Sequence, residues 1–438
     1  MKISLISVFP QLYDSFLGTS LMKRASEKGL IDVQASSFFS YVEPKERIDA
    51  PAFGPGAGML LRPEVVQKAI EDHEGRRGKA LRVFFSPHGK LLDQHLLTSL
   101  AERAQAAGHL MLIAGRYEGM DVRVEEHFAD EIVSVGNCVL MGGDLPAMML
   151  LEGLLRLVPG VVGKQESVTC DSFFGPFVDY PSYTEPLVWQ GKEVPAIVRS
   201  GNHGAIEQWR QEQAVERSLA GHFAWTRSSE LDARAMKVFK KLLPKHYMVL
   251  MHDEIDLGED KVGTTSITSI DIHDGARSAR TYGVEQFYLV TPLVDQQMIA
   301  KTLLDFWVKG AGVTYNPHRH DAVSRVRMST SLCETIAAIE EREGVRPLVI
   351  ATSAKSVEGV RSLDYYSQGE VWSQHRPVLL VFGTGKGLAR SAFDQVDYVL
   401  GPVQGFSDFN HLSVRSAMAV VLDRWFGYNP KMIPGAKK

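Results

Sequence analysis

The chain is nearly devoid of cysteine, with three in 438 residues (Cys138, Cys170 and Cys333). That excludes a disulfide framework and makes a reducing compartment, the cytoplasm, the expected location. No run reaches the ~18 apolar residues that a spanning helix needs, so no membrane partner is expected. The opening MKISLISVFP is too short and too soon polar to read as a secretory signal. There is no basic excess either. The net charge is −4, with 28 basic against 30 acidic side chains in residues 1–245 and 20 against 22 thereafter. Neither half advertises a nucleic-acid binder, so any RNA contact must use local patches. Three patches qualify: Arg76-Arg77-Lys79, Lys237-Lys240-Lys241-Lys245, and His318-Arg319-His320 with Arg325 and Arg327. Taken singly, each reads first as solvated surface charge. A phosphate loop is also missing. GTGKG at 383–387 lacks the GK[ST] ending, and the following strand ends Val399-Leu400-Gly401 without the acid of a dinucleotide fold.

What is present is a long globular chain, 45% apolar and 23% charged, which implies two or three domains. Strand-like runs at Ile3–Phe9, Ile31–Phe39, Leu81–Phe85, Leu110–Ala114 and Glu131–Val135 alternate with helical spacing at Gln11–Lys28, Val65–Asp72 and Gln94–Ala107. Such alternation predicts an α/β fold with a parallel sheet covered on both faces. Residues 161–175 lose apolar periodicity and read as a linker. Asn202 is placed to cap a helix over Ala205–Leu219, and a further amphipathic helix spans Leu231–Leu243 before Pro244. A second α/β unit follows. Its β-rich runs are Met248–Met251, Phe287–Val290, Leu348–Ala351, Val378–Phe382 and Val396–Leu400, with helices at Asp295–Lys309 and Ser331–Arg342. Both units end their last three strands in loops and then enter a long apolar helix, so they read as distant repeats of one plan.

The densest signal lies at 110–171. Runs at Leu110–Ala114 and Glu131–Val135 each stop at a glycine, and Gly142-Gly143 opens an apolar helix, Pro146–Leu157. Three glycine loops behind parallel strands leave backbone N–H and C=O groups free to hold a ligand. The strings GRYEG (115–119), Ser134-Val135-Gly136, GGDLPAM (142–148), Arg156-Leu157-Val158-Pro159-Gly160 and Asp171-Ser172-Phe173 resemble the bacterial tRNA (guanine-N1)-methyltransferase family, which modifies guanosine 37 beside the anticodon.

That resemblance covers about residues 1–245. It implies a trefoil-knotted SPOUT domain, an obligate homodimer, S-adenosylmethionine as methyl donor and tRNA as substrate. The donor-binding positions it implies are Phe85, Ser86, Pro87, Gly115, Tyr117, Glu118, Val135, Gly136, Asn137, Cys138, Val139, Leu140, Gly142, Gly143 and Pro146. The N1 of guanine is a poor nucleophile while protonated. Asp171 matches the family's base, and Arg156 matches the residue that binds O6 as charge moves there. No metal site is implied. Pro181–His203 matches the start of the family's helical RNA-binding domain. The chain departs from the pattern at Cys138 (usually aromatic), Cys170 (usually acidic), Glu185 (usually Arg) and Gly54-Pro55-Gly56 (usually three glycines).

In the second half, Asp271–Val284 resembles the first motif of SPOUT ribose 2′-O-methyltransferases, with Arg277 at the catalytic-arginine position. Val381–Ala389 and Asn410–Leu422 resemble the second and third motifs. The implied site residues are Arg277, Gly383, Gly385, Gly387, Gly401, Asn410, Leu412 and Ser413. The expected organisation is a SPOUT domain (1–160), a mobile linker carrying the base (161–175), a helical tRNA-binding domain (176–245) and a second SPOUT-like RNA methyltransferase domain of unknown target (246–438). The alternative for the last is a non-catalytic RNA-binding or tRNA-positioning module. A wholly non-catalytic regulator is disfavoured by the joint presence of Arg156 and Asp171.

Overall fold

The computed structural model describes residues 1–55, 58–163, 171–259 and 261–430. Gly56, Cys170 and most of the first part of the expected linker therefore lie outside the described residues. The chain forms two compact units, 1–174 and 175–438.

The first unit holds five parallel strands: β1 (Lys2–Ser7), β2 (Asp32–Ser37), β3 (Leu81–Leu91), β4 (His109–Ile113) and β5 (Glu131–Ser134), ordered β2-β1-β4-β3-β5. Successive side chains of β1 and β4 serve opposite faces, as the period of two requires. Ile3, Leu5, Leu110 and Leu112 pack on one side, while Ile6, Met111 and Ile113 pack on the other. Both faces are covered, which is why these strands read as unbroken apolar runs. The helices are α1 (Leu12–Leu17), α2 (Ser20–Glu27), α3 (Pro63–Arg77), α4 (Gln94–Ala107), α5 (Val122–Phe128) and α6 (Asp144–Arg156). The single helix expected over Gln11–Lys28 is two. Thr19, extended at φ −69°, ψ 156° after Gly18, turns the chain between them.

The second unit opens with α7 (His203–Gly221), α8 (Phe223–Ser228) and α9 (Ala233–Leu242). Asn202 caps α7 as expected, its side chain accepting from Ala205 N at 3.1 Å. A seven-stranded parallel sheet follows. Its strands are β6 (His246–Met251), β9 (Phe287–Val290), β10 (Val326–Ser329), β11 (Leu348–Thr352), β12 (Arg361–Leu363), β13 (Val378–Gly383) and β14 (Tyr398–Leu400), ordered β10-β9-β6-β13-β11-β14-β12. A small antiparallel hairpin, β7 (Ile255–Gly258) and β8 (Lys261–Gly263), interrupts it. Among its helices are α10 (Ser269–Thr281), α11 (Val294–Val308), α12 (Leu332–Glu343), α13 (Gln368–Trp372) and α14 (Val414–Phe426). Without edge strands β10 and β12, the order is that of the first unit, so the repeated plan read from the sequence is present as topology.

One expectation changes. Residues 176–245 were expected as a domain of their own, but Val215, Leu219 and Phe223 share a core with Met248, Trp372, Trp425 and Phe426. Arg227 donates to the carbonyls of Asp423 and Arg424 at 2.7 and 2.9 Å, at the C-terminus of α14. A segment of this size buries too little surface to stand alone easily, and its apolar stripe is closed by the second unit. Among the described residues no helix is long and apolar enough to cross a membrane.

His246 ties that core together. Its Nδ1–H donates to Pro244 O at 2.7 Å, while Nε2 accepts from the indole N–H groups of Trp372 and Trp425, each at 3.2 Å. Burial lowers its pKa to about 4 from an ordinary 6.5. The unfolded chain therefore binds a proton that the folded chain refuses. The resulting stability is full above pH 6.5 and drains as pH falls towards 4, by about 1.4 kcal/mol per pH unit for this group. Denaturant unfolding should show that loss, and His246→Phe should flatten it while costing about 1–3 kcal/mol at neutral pH through the stranded indole donors. An unchanged acid slope in the variant would show that other groups carry it.

Candidate active site

Four segments at the C-terminal ends of β3, β4 and β5 enclose one cleft of about 420 Å³. The first is an excursion from β3. Pairing with β5 runs Phe85↔Val133 and resumes at Lys90↔Val133, so Ser86–Gly89 bulge outward as a wall. Gly89 makes the return possible, because a Cβ there would stand 2.6 Å from the backbone of Ile132. The second segment, Gly115–Met120, leaves β4, and the third, Ser134–Leu140, leaves β5. The fourth enters α6. Gly143 N donates to Gly115 O at 2.8 Å, and a Cβ on Gly143 would meet Ala114 Cα at 3.0 Å. Only glycine lets these two loops touch backbone to backbone.

The structure gathers around this cleft Phe85, Ser86, Pro87, Gly115, Tyr117, Glu118, Val135, Gly136, Cys138, Val139, Leu140, Gly142, Gly143 and Pro146. Asn137 alone of the fifteen sequence-derived positions does not line it, and is exposed.

Ionisable groups that the sequence reading missed also line it: His88, Arg116 and Glu125. Glu125 is pulled out of water, and its carboxyl is raised above the usual range by burial, against the opposing effect of His88. His88 Nε2 lies 3.4 Å from Glu125 Oε2, and His88 Nδ1 lies 2.7 Å from Ser86 Oγ. Arg116 stands over the Phe9 ring at 5.1 Å and 3.8 Å from Asp144 Oδ2. Asp144 is 2% exposed, and its Oδ1 accepts from Ser7 Oγ at 2.5 Å and Tyr13 OH at 3.0 Å. Burial first, then the Asp144 charge, raises the Tyr13 hydroxyl well above its ordinary value. This buried carboxylate pins the start of α6 to β1 and α1. The sequence placed Arg116 and Asp144 inside the right strings without showing that they meet.

Arg156 closes α6, and its Nη2 donates to Asp171 Oδ2. Both side chains are partly open to solvent, at 50% and 36%. The structure thus brings the expected base and O6 donor together. They do not adjoin the cleft along α6. From Pro146, in the cleft wall, to Arg156 is ten residues, roughly 15 Å of helix at 1.5 Å per residue.

In the second unit, Gly383 ends β13, Gly385 and Gly387 follow it, Gly401 follows β14, and Asn410, Leu412 and Ser413 lead into α14, where Ser413 is the N-cap. Gly385 and Gly387 take φ of +58° and +106°. The strands these loops leave, β13 and β14, flank β11 in the parallel sheet. Arg277 is exposed on α10. Among the described residues no cluster could hold a metal ion.

Gly143→Val should press the α6 turn away from β4 and close the cleft. A drop of at least about tenfold in cleft-ligand affinity, with the fold retained by circular dichroism, is expected from overpacking of about 1–3 kcal/mol. Unchanged affinity would show that the loop contact does not shape the cleft.

A family model described as tRNA (guanine-1)-methyltransferase TrmD matches residues 1–223, and one described as SAM-dependent RNA methyltransferase matches residues 245–427. A curated tRNA (guanine-N(1)-)-methyltransferase of Nitratidesulfovibrio vulgaris (strain Hildenborough) is 37% identical over 433 residues, covering 98% of this chain and 99% of its own. A namesake in Oleidesulfovibrio alaskensis is 36% identical over 438 residues, with the same coverage. A Bacillus subtilis namesake is 38% identical over 220 residues, covering 50% of this chain and 89% of its own. The chain belongs to the tRNA (guanine-N1)-methyltransferase family, in a form whose second half matches SAM-dependent RNA methyltransferases.

Proposed function

We propose that the first unit transfers a methyl group from S-adenosylmethionine to N1 of guanosine 37 in tRNA, as a cytoplasmic homodimer of SPOUT-knotted domains. The observation that carries this reading is the Arg156–Asp171 pair. An arginine donor beside a carboxylate acceptor is the complement of a guanine edge, which offers O6 as acceptor next to N1–H as donor. In the free protein each side chain satisfies the other. A guanine entering between them takes both hydrogen bonds at once. Asp171 then receives the N1 proton, and Arg156 holds the charge that moves to O6.

The cleft suits the donor. Its walls are backbone loops and apolar side chains, which fit an adenosine, while Glu118, Glu125 and Arg116 offer partners for ammonium and carboxylate groups. When bound, S-adenosylmethionine supplies an electrophilic methyl on a cationic sulfur. Gly115–Gly119 and Val135–Leu140 would hold and orient it.

The spacing along α6 supports a shared site. Arg156, which pairs with the base, lies roughly 15 Å of helix from the cleft wall on one chain, whereas reacting atoms must come within about 3–3.5 Å. A second copy supplies the missing half. Leu145 and Met149, 63% and 54% exposed one turn apart on α6, with Val139 and Met141 at 90% and 83%, form an apolar surface suited to be covered by it. The helical segment 176–245 offers RNA contacts. Arg210 lies 4.6 Å over the Tyr180 ring, Tyr183 sits beside Trp209, and Trp189 is 61% exposed. The second unit is read as a methyltransferase-like domain acting on RNA.

Mass spectrometry of tRNA nucleosides, after incubation with protein and donor, tests the reading. Wild type should yield N1-methylguanosine. Asp171→Ala should yield at least about a hundredfold less, the usual cost of a lost general base, while binding S-adenosylhomocysteine as before. A variant retaining a tenth or more of the activity would remove Asp171 from the proton's path.

A further inference from the structure

Three basic patches stand out along the chain, and the fold uses them differently. Arg76 and Arg77 pair with Asp72 and Asp32, and Lys241 and Lys245 pair with Glu212 and Glu343. The third patch, His318–Arg327, contains one acid, Asp321. Arg280 of α10 takes that acid at 2.7 Å. This hydrogen bond, with the charges of Arg325 and His320 added, holds the Asp321 carboxyl below its usual range. Among the described residues Arg319 and Arg327 have no carboxylate partner. Arg319 lies 4.7 Å over the Trp307 ring, and Arg327 donates to the carbonyls of Ser324 and Val326 at 2.8 and 2.9 Å. Cations in excess of their acids on a surface attract a polyanion.

The patch is built on one indole. Trp307, near the end of α11, is 7% exposed. The His273 ring of α10 meets it edge to face at 5.5 Å, and the Tyr315 ring stands 6.4 Å away. His320 Nδ1 donates to the Trp307 carbonyl at 2.9 Å. Gly312 lets the turn Gly312–Tyr315 lie this close, because a Cβ there would come within 2.6 Å of the indole. Tyr315 itself is 80% exposed, so its ring is open to solvent on the same indole that carries Arg319. Burial first, then the charge of Arg319 with a smaller share from Arg277, lowers the pKa of His273, against Asp274. Guanidiniums of α10 and of the short helix Pro317–Val323 thus gather at one place. The basic face continues along α10, where Asp274, Arg277 and Arg280, three residues apart, are exposed on one side. At its far end Arg415 reaches Asp271 and Asp274 at 3.6 and 3.4 Å. That is where the loop carrying Asn410, Leu412 and Ser413 enters α14.

We propose that this face of the second unit binds single-stranded RNA, with Tyr315 stacking on a base and Arg319 and Arg325 holding phosphates. Two features select the partner. A guanidinium fits a phosphate, which its fork takes in two hydrogen bonds. An exposed ring beside such groups fits an unstacked base, which a duplex keeps within its stack. An acidic protein would gain from the guanidiniums but leave the ring unused. The direction of the face gives the binding a use, since RNA laid along α10 leads towards the loop before α14. The proposal rests on the second unit's match to SAM-dependent RNA methyltransferases.

Ultraviolet cross-linking of the full chain to an oligouridylate tests it, with the adducts mapped by mass spectrometry of the peptides. Stacking tolerates any sequence and such sites span roughly 4–16 nucleotides, so a probe of about 12 suits an unidentified RNA. A uridine adduct is expected on the peptide that carries Tyr315. Adducts confined to other peptides, or none at all, overturn the proposal. Below saturation, Arg319→Glu should lower the Tyr315 adduct at least about tenfold, the lower end for a lost hydrogen bond to a charged group. Adducts elsewhere in the chain should hold, as an internal control. Arg319→Gln removes the charge without adding repulsion and should act in the same direction at an unchanged thermal midpoint. An unaltered Tyr315 adduct in both variants overturns the proposal. So does polyglutamate that displaces the probe as well as unlabelled oligouridylate does, which would make an acidic protein the partner. Calorimetry with S-adenosylhomocysteine separates this surface from the reading beneath it. Two molecules bound per chain without the Tyr315 adduct keep the methyltransferase reading and remove the surface. One per chain with the adduct keeps the surface and removes the second donor site.

Discussion

Helix α6 starts in the wall of one cleft and ends at the arginine that pairs with Asp171. Its start is fixed by a carboxylate with almost no access to water. Asp144 holds Ser7 and Tyr13 by hydrogen bonds and faces Arg116. The backbone of Gly143, laid directly on Gly115, fixes it a second time. A helix anchored so firmly at one end acts as a rigid spacer. Ten residues of it, roughly 15 Å at 1.5 Å per residue, lie between Pro146 in the cleft wall and Arg156. The glycine loops, the exposed face of α6 and the open Arg156–Asp171 pair all fit that one constraint.

The second unit repeats the strand order but spends its surfaces differently. Its final helix, α14, is covered within the chain by the helical segment, through Phe223, Arg227 and the Trp372–Trp425 pair around His246. In the first unit Leu145 and Met149 of α6 stay open. One plan used twice therefore leaves one unit with an uncovered helix face and the other with that face closed from within.

Much of this was readable in the sequence. Gln94–Ala107 and Phe287–Val290 fall on the observed boundaries, because Asp93 caps the first and the second is a short β-branched and aromatic run between polar turns. The glycine strings located the cleft, since positions that require glycine leave a mark on the sequence. Three things left no such mark. The break at Gly18-Thr19 hides within a helical periodicity that continues on both sides. The apolar stripe of α7 announces burial without saying what buries it. Glu125 and His88 come from α5 and the β3 excursion, and only the fold makes them neighbours.

The central claim is that the cleft of one chain works with the Asp171 of another. Mixing tests it most directly. Asp171→Ala supplies a sound cleft without the base, and Gly115→Trp supplies the base with a blocked cleft; each alone should be inactive. After subunit exchange, shown independently by differently tagged chains, each mixed dimer should contain one site with both working halves, and N1-methylguanosine formation should return. Exchange without any return of activity would mean that each chain builds its whole site, contradicting the division of labour along α6.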